Sequence, residues 1–288
     1  MASNKFQTYY QLTKPGIIYG NDLTAAAGFL LASQDHINLG LGLATLVGIS
    51  LIIASACVVN NYIDRKIDKN MSRTKQRALV TGAIKPTAAL SYATILGVVG
   101  FGLLISQTNW LTTLLGAIGY IDYIVFYGFT KRRSVYSTLV GSIAGATPIA
   151  AGYTAVSDHF NAGALILFLM LVFWQMPHFY SIAMYRYEDY KAAKLPVLSV
   201  KSSSFITKLN ITGFTVGFIA CSLLLSAYGY TGYIYAVAAS LIGLAWLAQA
   251  VKGFSAPDDA AWARQMFKFS LLVITAFCVL IPLGSHLP

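Results

Sequence analysis

Residues 39–68 read LGLGLATLVGISLIIASACVVNNYIDRKID. No charge occurs from Leu39 to Val59; then Asn60, Asn61, Asp64 and Asp68 follow in quick succession. An uncharged run of about 20 residues is long enough to cross a bilayer as a helix. Its apolar residues are continuous rather than alternating, which predicts a helix and not a barrel strand. Here a membrane span runs directly into a cluster of carboxylates and amides.

The rest of the chain repeats the first half of that pattern. Hydrophobic residues make up 57% of the 288 residues and charged residues 10%, with a mean hydropathy of +0.64. Soluble chains carry about 25% charged residues. A soluble domain, a disordered chain and a disulfide scaffold are all excluded on that ground. Apolar runs at 16–33, 39–60, 90–107, 110–130, 136–156, 161–183, 206–227, 231–250 and 266–287 predict an all-α, polytopic membrane protein of about nine transmembrane helices. The polar start, MASNKFQTYYQLTKPG, has the pattern of neither a signal peptide nor a transit peptide. Cys57, Cys221 and Cys278 lie in apolar runs without CxxC spacing and read as inert buried thiols.

Lys and Arg number 20 against 10 Asp and Glu, a net charge of +10. In a soluble protein that excess would suggest nucleic acid. With the N-terminus inside, segments 1–15, 61–89, 131–135, 184–205 and 251–265, with the adjoining helix ends, collect every Lys and Arg. The opposite face holds Asp35, His36, Asp158, His159 and His286. This asymmetry predicts a cytoplasmic N-terminus, and nucleic acid drops out as a partner. A single domain over 1–288 is expected. Long loops follow spans two and six, which hints at four-helix halves, 1–135 and 136–255, plus a ninth helix.

Both long loops open on acids. Asn60, Asp64 and Asp68 stand at i, i+4 and i+8, on one helix face. Two carboxylates and an amide are hard oxygen donors of the kind Mg²⁺ takes alongside phosphate oxygens. Arg73, Lys75 and Arg77 follow at once and suit a diphosphate. A solvated helix end of mixed charge has the same spacing. The second cluster, Arg186, Glu188, Asp189 and Tyr190, occupies the equivalent place after span six. Just upstream, His178 follows Pro177 inside the span, and intramembrane ionisable groups are functional candidates. Trp174, Phe179 and Tyr180 around it suit either a cation-stabilising wall or plain packing. Asn21 and Lys14 are candidate pocket residues, while Asp22 and Asp122, inside spans one and four, receive no role.

With these residues in hand, the chain resembles the UbiA-type intramembrane prenyltransferase superfamily, in particular its heme-farnesylating branch. The resemblance covers nearly the whole chain. It rests on Thr13-Lys14-Pro15-Gly16, on Asn60 through Asp64 to Asp68, and on Arg73-Thr74 with Arg77. Lys131-Arg132, Trp174-Gln175-Met176-Pro177-His178, and Asp189-Tyr190 with Pro196 complete it. It departs at the second motif, usually DxxxD, where only Glu188 and Asp189 stand beside Arg186.

The resemblance implies a UbiA-type bundle in a bacterial inner membrane that joins farnesyl diphosphate to the 2-vinyl group of heme B. It implies Mg²⁺ held by Asn60, Asp64 and Asp68, with Asp189 as a further catalytic acid. Arg73, Arg77, Lys131, Arg132, Arg186 and Glu188 would line the diphosphate site. Trp174, Gln175, His178 and Tyr190 would contact substrate, His178 as a candidate axial ligand. A terminal oxidase or heme-handling protein is the implied recipient. Two other readings stand beside it: a quinone-pathway polyprenyltransferase acting on an aromatic acid, and a transporter using Asp22 and Asp122.

Overall fold

Polar caps set where the spans begin. In the computed structural model, which describes residues 5–34 and 36–288, the long helices are α1 (Pro15–Ser33), α2 (Leu39–Asp68), α3 (Pro86–Gln107), α4 (Trp110–Thr130), α5 (Ser137–Ser157), α6 (Ala162–Tyr185), α7 (Ser204–Ala227), α8 (Tyr233–Lys252) and α9 (Asp259–Gly284). The side chains of Asn38, Asn109 and Asn161 cap α2, α4 and α6 by accepting first-turn N–H groups, and Ser203 and Asp258 do the same for α7 and α9. Pro15 and Pro86 open α1 and α3, where a missing N–H costs nothing. No strand occurs among the described residues.

Eight of these helices, α2 to α9, are long and apolar enough to cross a membrane among the described residues. The expectation was about nine. The difference is α1: it has 19 residues, but Asn21 and Asp22 in its middle lower its hydropathy. A second boundary also moves. The segment 251–265 was read as a loop, yet α9 begins at Asp259, so Arg264 and Lys268 ride on its first turns. Lys208 explains the early start: its Nζ reaches Asp259 Oδ1 at 2.5 Å and Ser204 also donates to that carboxylate, tying α7 to α9. Asp35, placed by sequence on the less basic face, lies outside the described residues.

The helices form a ring. α2 pairs with α3, α4 with α5, α5 with α6, and α6 with α7 and α9, while α8 bridges α7 and α9. α1 closes the ring by packing along α5 and touching both α2 and α9. Gly28 and Gly152 permit that closeness, because a Cβ at either would collide with a backbone carbonyl, Ile149 O or Ala25 O. The main core lies among α5–α9, around Leu167, Met170, Phe218, Trp246, Met266 and Phe277. A smaller cluster of Leu12, Val58, Leu79, Ile84, Ala89 and Ala93 seats the short helix Lys5–Leu12 and the loop after α2 against α2 and α3. Val98, Ile105, Leu241 and Leu272 point outward, as lipid-facing side chains do.

Candidate active site

α2 runs eight residues past its expected end, and this extension builds the site. Asn60, Asp64 and Asp68 fall on one face of an unbroken helix, and all three are buried. Buried carboxylates require partners. Asp64 is met by Lys131, with Arg132 Nη2 at 3.3 Å; Asp68 is met by Arg77 Nη1 at 2.8 Å. Asn60 Oδ1 accepts from Lys14 Nζ at 2.8 Å and from the Tyr123 hydroxyl at 3.4 Å. Residues from four separated stretches therefore meet at one end of α2. Asp64 and Asp68 present the hard oxygen donors that Mg²⁺ takes.

α4 supplies the wall opposite. A π-helical turn over Asp122–Phe126 re-registers it, and Tyr123 stacks on Tyr127 with ring centroids 5.7 Å apart. Lys131 Nζ lies 5.4 Å from the Tyr127 ring and Lys14 Nζ 5.9 Å from that of Tyr123. Neither tyrosine was singled out from sequence. The signal was present in the spacing Tyr123, Tyr127, Lys131, one face of a helix ending beside the acids.

Lys14 is held in an unusual way. Its backbone is left-handed, φ 55°, immediately before Pro15, a conformation that costs energy for a residue with a Cβ. Asn61 donates to Leu12 O at 2.9 Å and so anchors this turn to α2. Burial, with the nearby Arg77 and Lys131 charges, pushes the Lys14 ammonium down to about 8. Burial likewise lowers Lys131, against the pull of Asp64.

The second acidic cluster joins the first through the loops. Asp189 accepts from Ser72 Oγ at 2.6 Å and Ser72 N at 3.2 Å, and lies 3.6 Å from Arg186 Nη1. The Ser72 bonds hold its carboxyl below the usual range. This crosslink places Arg73, itself exposed, beside Tyr190. Glu188 remains exposed on the short helix Tyr187–Ala192. Among the described residues no group of three or more His, Cys, Asp or Glu gathers as a metal cluster, and Asp189 is engaged by Ser72 and Arg186.

The remaining expected residues form separate groups. His178 Nδ1 lies 2.7 Å from Ser270 Oγ on α9, and its ring stacks on Trp174 at 4.7 Å, with Phe179 and Phe267 each at 5.1 Å. Trp174 Nε1 donates to Ser270 O at 2.9 Å, so one α9 residue orients both rings. Gln175 Nε2 donates across to Ser142 O on α5 and to Leu171 O. Asn21 gives its amide to Ile17 O of its own helix. The unassigned acids have local partners: Asp22 accepts from Ser50 at 2.7 and 2.8 Å, and Asp122 from the Ala144 N–H at 3.1 Å.

The sequence profile of the UbiA prenyltransferase family matches residues 23–272. The chain belongs to the UbiA prenyltransferase family. Relatives of this UbiA chain include the protoheme IX farnesyltransferases of Sodalis glossinidius, 48% identical over 97% of this chain and 95% of that one, and of Citrobacter koseri, 48% identical over 98% and 96%. A solved digeranylgeranylglyceryl phosphate synthase superposes with a TM-score of 0.81 at 18% identity over 98% of each chain. A UbiA homolog from Archaeoglobus fulgidus bound to GPP and Mg²⁺ gives 0.68 at 16% identity, over 95% of this chain and 99% of that one. At those identities the UbiA fold is what is shared.

Proposed function

We propose that the protein transfers the farnesyl group of farnesyl diphosphate to the 2-vinyl group of protoheme IX, with addition of water, giving heme O and diphosphate. The observation that carries this reading is near-full-length identity of 48% to protoheme IX farnesyltransferases, on a chain whose α2 ends in Asn60, Asp64 and Asp68 among Lys14, Arg77, Lys131 and Arg132.

Asp64 and Asp68 would hold Mg²⁺, which when bound supplies charge neutralisation to the leaving diphosphate. Arg77, Lys131 and Arg132 share the remaining phosphate charge, with Arg73 and Arg186 carried on the crosslinked loops. Rupture of the C1–O bond releases diphosphate and leaves an allylic cation. The stacked Tyr123 and Tyr127 rings, which already lie against Lys14 and Lys131, would offer it π-density. The heme vinyl carbon forms the new bond to C1. The cation left beside the macrocycle takes water and loses a proton, giving the hydroxyethylfarnesyl group. His178, oriented through Nδ1 by Ser270, contacts heme, and the basic loops receive its propionates. The N-terminus and these loops face the cytoplasm of a bacterial inner membrane, and heme O passes to a terminal oxidase or heme-handling protein.

Membranes containing the protein, incubated with heme B, farnesyl diphosphate and Mg²⁺, are expected to yield heme O by chromatography and mass. Absence of heme O, with prenylation of 4-hydroxybenzoate instead, would overturn the reading.

A further inference from the structure

Ser270 is fully buried on α9, and its single hydroxyl proton serves one acceptor. Its Oγ lies 2.6 Å from Phe267 O, one turn back, and 2.7 Å from His178 Nδ1 on α6. A backbone carbonyl only accepts, so at that distance the hydroxyl proton points to Phe267 O. An Oγ lone pair then faces Nδ1, and Nδ1 must carry the imidazole proton. This leaves Nε2 with the ring lone pair, and among the described residues Nε2 meets no hydrogen-bond partner. Trp174 closes the arrangement. Its Nε1–H donates to Ser270 O at 2.9 Å, and its rings stack on the imidazole at 4.7 Å between centroids. Phe179 and Phe267 flank the same ring, each at 5.1 Å. A proton on Nε2 would be a donor held among aromatic rings with nothing to bond.

Resting on the heme-dependent reading above, we infer that Ser270 is a positioning residue that holds His178 as its Nδ1–H tautomer, so that Nε2 binds the iron of the incoming heme. The iron belongs to the substrate, and an imidazole lone pair is a donor that iron takes. A metal-binding histidine gives its other N–H to a fixed oxygen, which sets the ring plane and makes the binding nitrogen more basic. Here that oxygen is a hydroxyl already committed to Phe267 O, so it cannot turn round and donate to the ring. Anchoring the heme at its iron leaves the edge of the macrocycle, and with it the vinyl group, open to react.

The full-length protein in detergent is titrated with ferric protoheme IX and followed by visible absorption. Wild type is expected to give the spectrum of histidine-ligated heme. His178→Gly is expected to lose that spectrum and to regain it when free imidazole is added. Ser270→Ala is expected to bind heme about tenfold more weakly, the scale seen when a ligand's hydrogen-bond acceptor is removed, and to give a mixture of ligated and unligated spectra. In the His178→Gly background the same Ser270→Ala change is expected to leave heme affinity unmoved, because Ser270 acts through His178. An equal loss in both backgrounds would reduce the contact to packing and overturn the inference. So would a His178→Gly protein that keeps the wild-type spectrum, or a Ser270→Ala protein that binds heme as wild type does. A wild type that makes heme O without a histidine-ligated spectrum sinks the inference alone. One that binds no heme and makes no heme O sinks the reading beneath it.

Discussion

Asp64 shows how much a single buried side chain decides. It is paired with both Lys131 and Arg132, and under the proposed function it is one of two carboxylates that would hold the metal. Asp64→Asn is expected to lower heme O formation by about 10²-fold or more, in line with loss of one transition-state stabilising group. The protein should remain inserted in the membrane at normal levels, and heme O yield normalised to inserted protein checks this. His178→Ala is expected to raise KM for heme several-fold while leaving KM for farnesyl diphosphate unchanged, because His178 faces Ser270 on α9 and not the acids on α2. Steady-state kinetics with each substrate varied in turn separates the two. Lys14 carries a pH signature. Burial lowers its pKa to about 8, so it is an ammonium below that pH and neutral above it. Since kcat/KM reports groups of the free enzyme, kcat/KM for farnesyl diphosphate is expected to fall as pH rises through about 8, and Lys14→Arg should shift that fall upward.

At the scale of elements, the two long loops act as one. Ser72 of the first donates twice to Asp189 of the second, and that crosslink ties Arg73, next to Ser72, to Arg186, the ion-pair partner of Asp189; under the proposed function both serve the diphosphate. Ser72→Ala is expected to raise KM for farnesyl diphosphate about fivefold, with Ser72→Thr restoring it and the Mg²⁺ activation curve unmoved. A shifted Mg²⁺ curve in Ser72→Ala would instead tie Asp189 to the metal. Sequence placed both acidic clusters at the ends of α2 and α6 correctly. It could not show that Asp189 turns to Ser72, since a hydrogen bond between residues 117 apart has no local signal. The π-helical turn in α4 was equally invisible: the ring Tyr127 N–H to Asp122 O is wider than an α-turn, yet its residues look like an ordinary apolar run.

For the whole molecule, the charge asymmetry predicts an orientation. With a cytoplasmic N-terminus, the loops that carry Asp64, Asp68 and Asp189 fall on the same side as every Lys and Arg, the side on which basic loops are retained. Reporter fusions after Lys75 and Lys194 are expected to report cytoplasm, and a fusion after Asp158 the opposite side; any reversed pair would refute the topology. Among the described residues, α1 is the one long helix whose own hydropathy does not mark it as a span. Its close packing on α5 through Gly28 and Gly152 and its contacts with α2 and α9 hold it in the ring.

Composition and the continuity of apolar runs determined the class: a helical membrane bundle, since the bilayer demands that each span satisfy its own backbone. Helical period alone determined that Asn60, Asp64 and Asp68 share a face. Tertiary structure decided what each then meets. Lys14, Tyr123, Lys131 and Arg77 come from other stretches of chain, and only packing brings their charges within hydrogen-bond reach. A buried polar group takes its role from its partners, so the same spacing became two carboxylates paired with cations and one amide with its oxygen taken.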